Sequence, residues 1–289
     1  MDRKLTAKDY LFLSSMLFGL FFGAGNLIFP ASMGQNAGAN LWPAIAGFCL
    51  TGVGLPLLGI VAMGISRSEG MFDMASKVSR RYSYFFTCAL YLTIGPLFAI
   101  PRTATVSFSV GILPMLPPEH ETLALCVFSA LFFLVVLYFS LRPSGILTWV
   151  GKILNPVFLL FLGILTVTAL IRPMGDPAAL EPMGNYAHMS FFQGFLDGYN
   201  TVDAPAALAF GIVLITAIRG LGVHSPKAIS ASTVKAGFFS TLLMAAIYCM
   251  LTVVGAQSRA AARSSTASPP ITLGPLAACC WASRSPPPA

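Results

Sequence analysis

The sequence predicts an all-α protein that crosses a membrane several times, and three observations support this prediction. Hydrophobic residues make up 56% of the 289 residues, charged residues make up 9%, and the mean hydropathy is +0.79. Soluble domains typically have about 25% charged residues. Apolar stretches recur along the chain, and basic residues concentrate in alternate connectors between them. The net charge of +7 follows this distribution, so we expect a lipid bilayer and no nucleic acid as partner.

Seven apolar stretches are each long enough to cross a bilayer, which takes about 20 residues of helix. The predicted spans cover residues 11–31, 41–65, 82–112, 121–140, 147–171, 191–218 and 233–255. Lys and Arg dominate the amino terminus and the connectors after the second, fourth and sixth spans, whereas the alternate connectors carry only Arg172. The positive-inside rule therefore predicts a multi-pass protein with a cytoplasmic amino terminus.

The first span contains an interruption, Phe-Phe-Gly-Ala-Gly-Asn at residues 21–26. Two glycines and an asparagine hold a helix poorly in lipid, and a backbone carbonyl freed there needs a polar partner. Broken helices of transporters use such carbonyls to bind a cation, and half-helix amino termini to bind a carboxylate. The alternative is a closely packed helix crossing in which Asn26 hydrogen-bonds to a neighbouring helix.

The sixth span contains a comparable polar cluster bracketed by a glycine and a proline: Asp197, Gly198, Asn200, Thr201, Asp203 and Pro205. Proline lacks an N–H and clashes with the carbonyl four residues earlier, so we expect the helix to open around Thr201. Carboxylates within the membrane usually have a functional role. The alternative for Asp197 or Asp203 is a hydrated position near the external interface. Two broken spans five apart predict an inverted five-plus-five repeat with its ligand site between them.

The third span contains an arginine, Arg102, which follows Pro96 and Pro101. We expect the prolines to kink this helix and Arg102 to face the protein interior or a water-filled path. The alternative is a long, tilted helix from which the arginine reaches the external membrane surface. We therefore treat Arg102 and Asp203 as functional polar residues within the membrane.

The sequence contains no pattern that is typical of an enzyme. Its three histidines lie in separate connectors, and Asp197 and Asp203 are on opposite sides of the expected break. A membrane-embedded enzyme would need paired carboxylates or a set of histidines around a metal. The six cysteines show neither CxxC nor Cys/His spacing. We predict no catalytic residue, no cofactor and no metal centre other than a Na⁺ site.

Three segments are the most distinctive of the chain: FFGAGNLIFP at residues 21–30, GPLFAIPRTATVSF at 95–108 and GYNTVDAPAALAFG at 198–211. Together they resemble the branched-chain amino acid–cation symporters, the BrnQ-type carriers of bacterial inner membranes, over residues 8–255. The first segment is also similar to the neurotransmitter–sodium symporters, distant relatives that share the LeuT-like five-plus-five fold. The resemblance implies uptake of leucine, isoleucine and valine across the inner membrane, coupled to Na⁺ or H⁺, by alternating access.

The resemblance also implies roles for individual residues. The residues implied in cation binding are Phe22 and Gly23, through their carbonyls, and Asn26. The residues implied in substrate binding are Ala24, Gly25, Tyr199, Asn200 and Thr201. The resemblance leaves the choice between Na⁺ and H⁺, the preferred substrate and the oligomeric state open.

The chain is shorter than the family pattern, since it would hold the first repeat and only two spans of the second. At about residue 257 the composition changes to Ala, Ser, Arg and Pro. We therefore expect an incomplete carrier domain at residues 1–256 and a disordered tail outside the family at 257–289. Out-of-frame translation is the explanation that we favour for this tail, and a native external tail is the alternative. The alternative function is an inactive remnant that inserts without transporting. With the later spans missing, Asn26, Asn200 and Asp203 would face lipid.

Overall fold

The computed structural model describes residues 3–68, 70–141, 155–173 and 175–266, and within these ranges it confirms the all-α fold class. The α-helices are α1 (Ala7–Phe21), α2 (Ala24–Ala37), α3 (Leu41–Cys49), α4 (Leu55–Ser66), α5 (Met71–Ser76), α6 (Arg80–Leu92), α7 (Ala99–Gly111), α8 (Glu121–Ser140), α9 (Asn155–Ile171), α10 (Ser190–Tyr199), α11 (Asp203–Gly220) and α12 (Pro226–Thr266). Short 3-10 and π turns join several of them.

In the described part of the chain, five helical segments are long and apolar enough to cross a membrane. They are Gly25–Ser66, Arg80–Met115, Glu121–Ser140, Ser190–Gly220 and Pro226–Ala260, with a shorter apolar helix at Pro156–Ala169. The segmentation differs from the predicted spans because the first span is interrupted, and because the helix then continues through a 3-10 turn into the second. The predicted span at 147–171 lies partly outside the described residues, so the count of seven crossings stays a prediction.

The two broken spans, α1–α2 and α10–α11, pack side by side in opposite directions. The first half of each contacts the second half of the other: α1 contacts α11, and α10 contacts α2. In addition, α1 and α2 both pack on α12, whereas α10 packs on α3 and α11 packs on α4. The first span therefore packs on the seventh span, which follows the sixth, and the sixth span packs on the second, which follows the first. This reciprocal packing supports the predicted inverted repeat.

Glycines allow the helices of these reciprocal contacts to approach closely. Gly47 of α3 and Gly194 of α10 each lie against a backbone carbonyl of the other helix. Gly34 of α2 and Gly255 of α12 form a second pair of the same kind. Small residues are typical of such membrane helix interfaces, where van der Waals packing drives association. A methyl group at any of these positions would overlap the facing carbonyl.

We expect Gly194→Ala to lower the thermal stability of the detergent-solubilised protein, because the added methyl group overlaps the carbonyl of Ala44. Overpacking of this kind destabilises proteins by about 1–3 kcal/mol. Gly163→Ala in α9 is the matched control, since no heavy atom lies within 4 Å of the added group. Size-exclusion profiles after heating would give both unfolding midpoints. Equal midpoints for the two variants would contradict the close contact between α3 and α10.

The last helix is longer than the sequence indicated. α12 continues to Thr266, past the boundary expected after residue 256. Two hydrogen bonds attach its end to α2: Arg259 donates to the carbonyl of Gln35 at 2.7 Å, and the Gln35 amide donates to Ser258 at 3.3 Å. Alanine, the strongest helix former, follows at residues 260–262. The helix thus extends into the segment expected to be disordered as far as Thr266, whereas residues 267–289 lie outside the described ranges and the domain boundary stays a prediction.

Candidate functional site

The break in the first span is organised by Asn26. α1 ends at Phe21 and α2 starts at Ala24, after the two non-helical residues Phe22 and Gly23. The Asn26 side-chain oxygen, Oδ1, accepts a hydrogen bond from the Gly23 N–H at 3.0 Å. A polar side chain at this position satisfies a backbone donor that the start of a helix leaves free. The amide nitrogen of Asn26 is then directed at the sixth span.

The break in the sixth span lies between Tyr199, where α10 ends, and Asp203, where α11 starts. Val202 has a φ of 67°, a left-handed conformation that is strained for a β-branched residue. Pro205 falls in the first turn of α11, and its missing N–H leaves the carbonyl of Thr201 without a helical donor. The helix therefore opens where the sequence predicted.

The two breaks meet at three buried polar side chains, Asn26, Asp203 and Tyr248, which we call the break triad. Asn26 Nδ2 donates to Asp203 Oδ2 at 2.7 Å, and the Tyr248 hydroxyl donates to the same oxygen at 2.8 Å. Asn26 Nδ2 also donates to the Tyr248 hydroxyl oxygen. The exposed fractions of the three residues are 2%, 3% and 1%. The triad therefore connects the first, sixth and seventh spans.

Aromatic rings surround the break triad. The Phe22 ring lies 6.3 Å from the Tyr248 ring and stacks 4.9 Å from Phe18, while Phe48 meets Tyr248 edge-on at 5.1 Å. Phe18 and Phe48 are fully buried. Burying a carboxylate among such groups is costly unless it is hydrogen-bonded or paired, so the two donors hold Asp203 in place. A carboxylate can accept about four hydrogen bonds, which leaves Asp203 capacity for a cation or a proton.

The burial of the break triad corrects one expectation. Asn26 and Asp203 were expected to face lipid, but both are buried because they bond to each other and to Tyr248. Of the three residues named in that expectation, only Asn200 has an exposed side chain.

The predicted kink in the third span places Arg102 over the sixth-span break. A π turn at Thr93–Leu97, with Gly95 outside the helical region, separates α6 from α7. From the start of α7, Arg102 Nη1 donates to the carbonyl of Asn200 at 2.7 Å. Nη2 donates to the carbonyl of Thr201 at 3.3 Å. Arg102 is therefore directed at the carbonyls of the break.

The predicted substrate contacts converge only in part. Gly25 lies against the Arg102 guanidinium, and Thr201 is buried with its hydroxyl donating to the Gly198 carbonyl at 2.8 Å. The Tyr199 side chain, in contrast, is 57% exposed. Ala24 is the first residue of α2. The structure thus groups Gly25, Thr201 and Arg102 beside the triad and leaves the Tyr199 side chain at the edge.

Asp197 lies apart from the breaks. It accepts hydrogen bonds from the Tyr186 hydroxyl and, at 3.2 Å, from the Gln193 side-chain amide. Tyr186 belongs to the connector before α10, outside the membrane-spanning segments, and burial together with this hydrogen bond raises the pKa of its hydroxyl. Asp197 therefore holds this connector to the last turn of α10.

Sequence reasoning missed Tyr248, the third member of the break triad. It stands in an apolar run, Ala-Ile-Tyr-Cys-Met at residues 246–250, without a polar neighbour. The one available signal was the hydroxyl itself, because a buried tyrosine hydroxyl usually finds a hydrogen-bond partner.

Comparisons with known proteins agree on one family. Residues 6–272 match the family model described as branched-chain amino acid transport protein. The chain is 53% identical over 262 residues to the branched-chain amino acid permease BrnQ of Lactobacillus delbrueckii subsp. lactis. The aligned region covers 90% of this chain and 59% of that permease. It is 44% identical over 258 residues to the branched-chain amino acid permease BraB of Bacillus subtilis. That aligned region covers 89% of this chain and 57% of BraB.

A third relative is the branched-chain amino acid transport system 3 carrier protein of Pseudomonas aeruginosa. The chain is 43% identical to it over 259 residues, covering 89% of this chain and 58% of the carrier. The chain thus spans 57–59% of the length of these three relatives. No solved structure matches it significantly.

Proposed function

Because the chain belongs to the family of branched-chain amino acid transport proteins, we propose that it carries the substrate and cation sites of a cation-coupled transporter. The proposed substrates are leucine, isoleucine and valine, the coupling ion is Na⁺ or H⁺, and the location is the bacterial inner membrane with a cytoplasmic amino terminus. One observation carries this proposal: the 2.7 Å hydrogen bond between Asn26 and Asp203 joins the two helix breaks inside a buried polar site. Broken helices that meet in this way form the ion and substrate sites of inverted-repeat transporters.

Asp203 is the proposed centre of the cation site. The Asn26 side-chain oxygen already accepts from the Gly23 N–H, and the Gly23 carbonyl accepts from the Asn26 N–H at 3.1 Å. Each of these oxygens has a second lone pair, and the Asp203 carboxylate adds acceptor capacity and a negative charge. Asn26 and the carbonyls of Phe22 and Gly23 then complete the site. Loading Asp203 neutralises a buried charge, and this changes the relative stability of alternative packings of the broken spans.

The substrate is proposed to lie between the two breaks, next to the cation site. Gly25 and Thr201 border this region from the two spans, and the backbones of Ala24 and Asn200 lie beside them. Tyr199, with its exposed side chain, would contact the substrate from the edge. This arrangement places the substrate where both broken spans touch it, so its binding depends on their relative position.

The proposal is tested by equilibrium binding of radiolabelled leucine to the purified chain in lipid nanodiscs. We expect saturable binding that strengthens with Na⁺ or with falling pH, and displacement by isoleucine and valine but not by lysine. Absence of saturable binding, or equal displacement by lysine, would overturn the proposal. Uptake into proteoliposomes separates the two functions expected from the sequence: binding with concentrative uptake supports the transporter, and binding alone favours the inactive remnant.

Tyr248→Phe should weaken cation-dependent leucine binding, because the lost hydroxyl donates to Asp203 and accepts from Asn26. A hydrogen bond to a charged group contributes about 1.5–3 kcal/mol, which corresponds to a loss of at least about tenfold in affinity. Tyr91→Phe, at an exposed position in α6, is the matched control and should bind leucine like the unmodified chain. Equal cation affinity in the two variants would remove Tyr248 from the site.

A further inference from the structure

We propose that Arg102 recognises the carboxylate of the transported amino acid. This inference rests on the function proposed above and names the group that distinguishes amino acids from other small apolar molecules. In the described part of the chain, Arg102 has two hydrogen-bond partners. Both are neutral: the backbone carbonyls of Asn200 and Thr201, at 2.7 Å and 3.3 Å.

A carboxylate is a better acceptor for this guanidinium than the two carbonyls. Arginine carries five N–H donors in a planar fork that matches the two oxygens of a carboxylate, and such charge-assisted pairs are about twice as strong as neutral hydrogen bonds. The Arg102 side chain is half-buried, so the surrounding residues do not cover it completely. An amino acid carboxylate can take over one or both Nη groups or use the remaining donors.

Neighbouring groups fix the guanidinium in position for this contact. It lies over the rings of Phe29, in α2, and Phe98, just before α7, with centroid distances of 5.5 Å and 5.2 Å. Cation–π contacts of this kind restrict the orientation of the charged group. Gly25 lies directly beside it, because a Cβ atom at that position would contact Nη2. A carboxylate bound to Arg102 would therefore touch the first turn of α2 as well as the sixth-span break.

Substrate binding at Arg102 would also change how α7 contacts the sixth span. In the present structure Arg102 links α7 to the sixth-span break through the two carbonyl contacts. A bound carboxylate competes for the same donors and so releases the break from α7. A ligand that removes a contact present in only one conformation shifts the equilibrium towards the other.

The test compares leucine with leucinol, which carries a hydroxyl group in place of the carboxylate, in the nanodisc binding assay. We expect Arg102→Gln to weaken leucine binding by at least about tenfold and to leave the weaker leucinol binding unchanged, since the glutamine amide makes no charge-assisted pair. Arg102→Lys should bind leucine more weakly than the unmodified chain and more tightly than Arg102→Gln, because lysine keeps the charge and loses the planar fork. Unchanged leucinol binding also shows that each variant is folded.

Arg172→Gln, at an exposed arginine in the connector after α9, is the matched control and should leave both affinities unchanged. If Arg102→Gln weakens leucine and leucinol equally, Arg102 only positions the break, and the inference is overturned while the proposed function stands. Unchanged leucine binding in Arg102→Gln overturns the inference as well. If the unmodified chain binds no leucine under any cation condition, the proposed function fails and the inference falls with it.

Discussion

Replacing Asp203 by Asn should abolish the cation dependence of leucine binding. Asp203 is 3% exposed and is the one carboxylate of the break triad. An asparagine keeps the shape, and its side-chain oxygen can still accept from Asn26 and Tyr248, but it brings no negative charge. A cation in a buried site is stabilised mainly by the opposite charge beside it, so this substitution has the largest effect expected in the chain.

The measurement is leucine affinity as a function of Na⁺ concentration and, separately, of pH. The affinity of Asp203→Asn should be flat in the titration that strengthens binding to the unmodified chain. Asp197→Asn is the matched control from the same span, since its partners Tyr186 and Gln193 lie away from the triad. A cation response in Asp203→Asn equal to that of the control would show that the coupling ion binds elsewhere.

Asn26→Ala should have the second largest effect, a loss of about five- to 150-fold in cation affinity, because a buried group left without its partner costs about 1–3 kcal/mol. The substitution removes the donor to Asp203 and Tyr248. It also removes the acceptor of the Gly23 N–H, so the first turn of α2 loses its side-chain contact.

A second asparagine in α2 provides the control for this prediction. The Asn36 amide donates to the carbonyl of Ser32 within the same helix at 2.8 Å, so Asn36→Ala should leave cation affinity unchanged. If Asn26→Ala also keeps normal cation affinity in a proteoliposome leucine-uptake assay, Asn26 serves only to connect helices. That result would favour the alternative that the sequence left open for this residue.

The sequence was sufficient to predict both helix breaks because their causes are local. Glycine tolerates backbone conformations that other residues avoid, and Pro205 removes a helical donor wherever the rest of the chain lies. The kink before Arg102 follows from Pro96 in the same way. Polar residues in an apolar stretch then indicated which helices face each other, and the structure brings Asn26 and Asp203 together.

Features that depend on distant contacts could not be predicted in this way. Tyr248 joins the triad through hydrogen bonds to residues far away in sequence, and no local pattern marks it. The direction of the Arg102 side chain depends on how α7 lies against the sixth span. The extension of α12 to Thr266 was missed because composition suggested disorder, while contacts between Arg259 and Gln35 hold this part of the helix on α2.

The central claim is that the two helix breaks form one site, and a double-mutant cycle tests it most directly. Leucine affinity at one fixed cation concentration, below saturation of the unmodified chain, is measured for Asn26→Ala, Asp203→Asn and the double variant. Groups in contact couple by about 0.5–3 kcal/mol, so we expect the double variant to lose clearly less affinity than the sum of the single losses. The same cycle with Asp197→Asn in place of Asp203→Asn should be additive. Additive losses for Asn26 and Asp203 would contradict the claim.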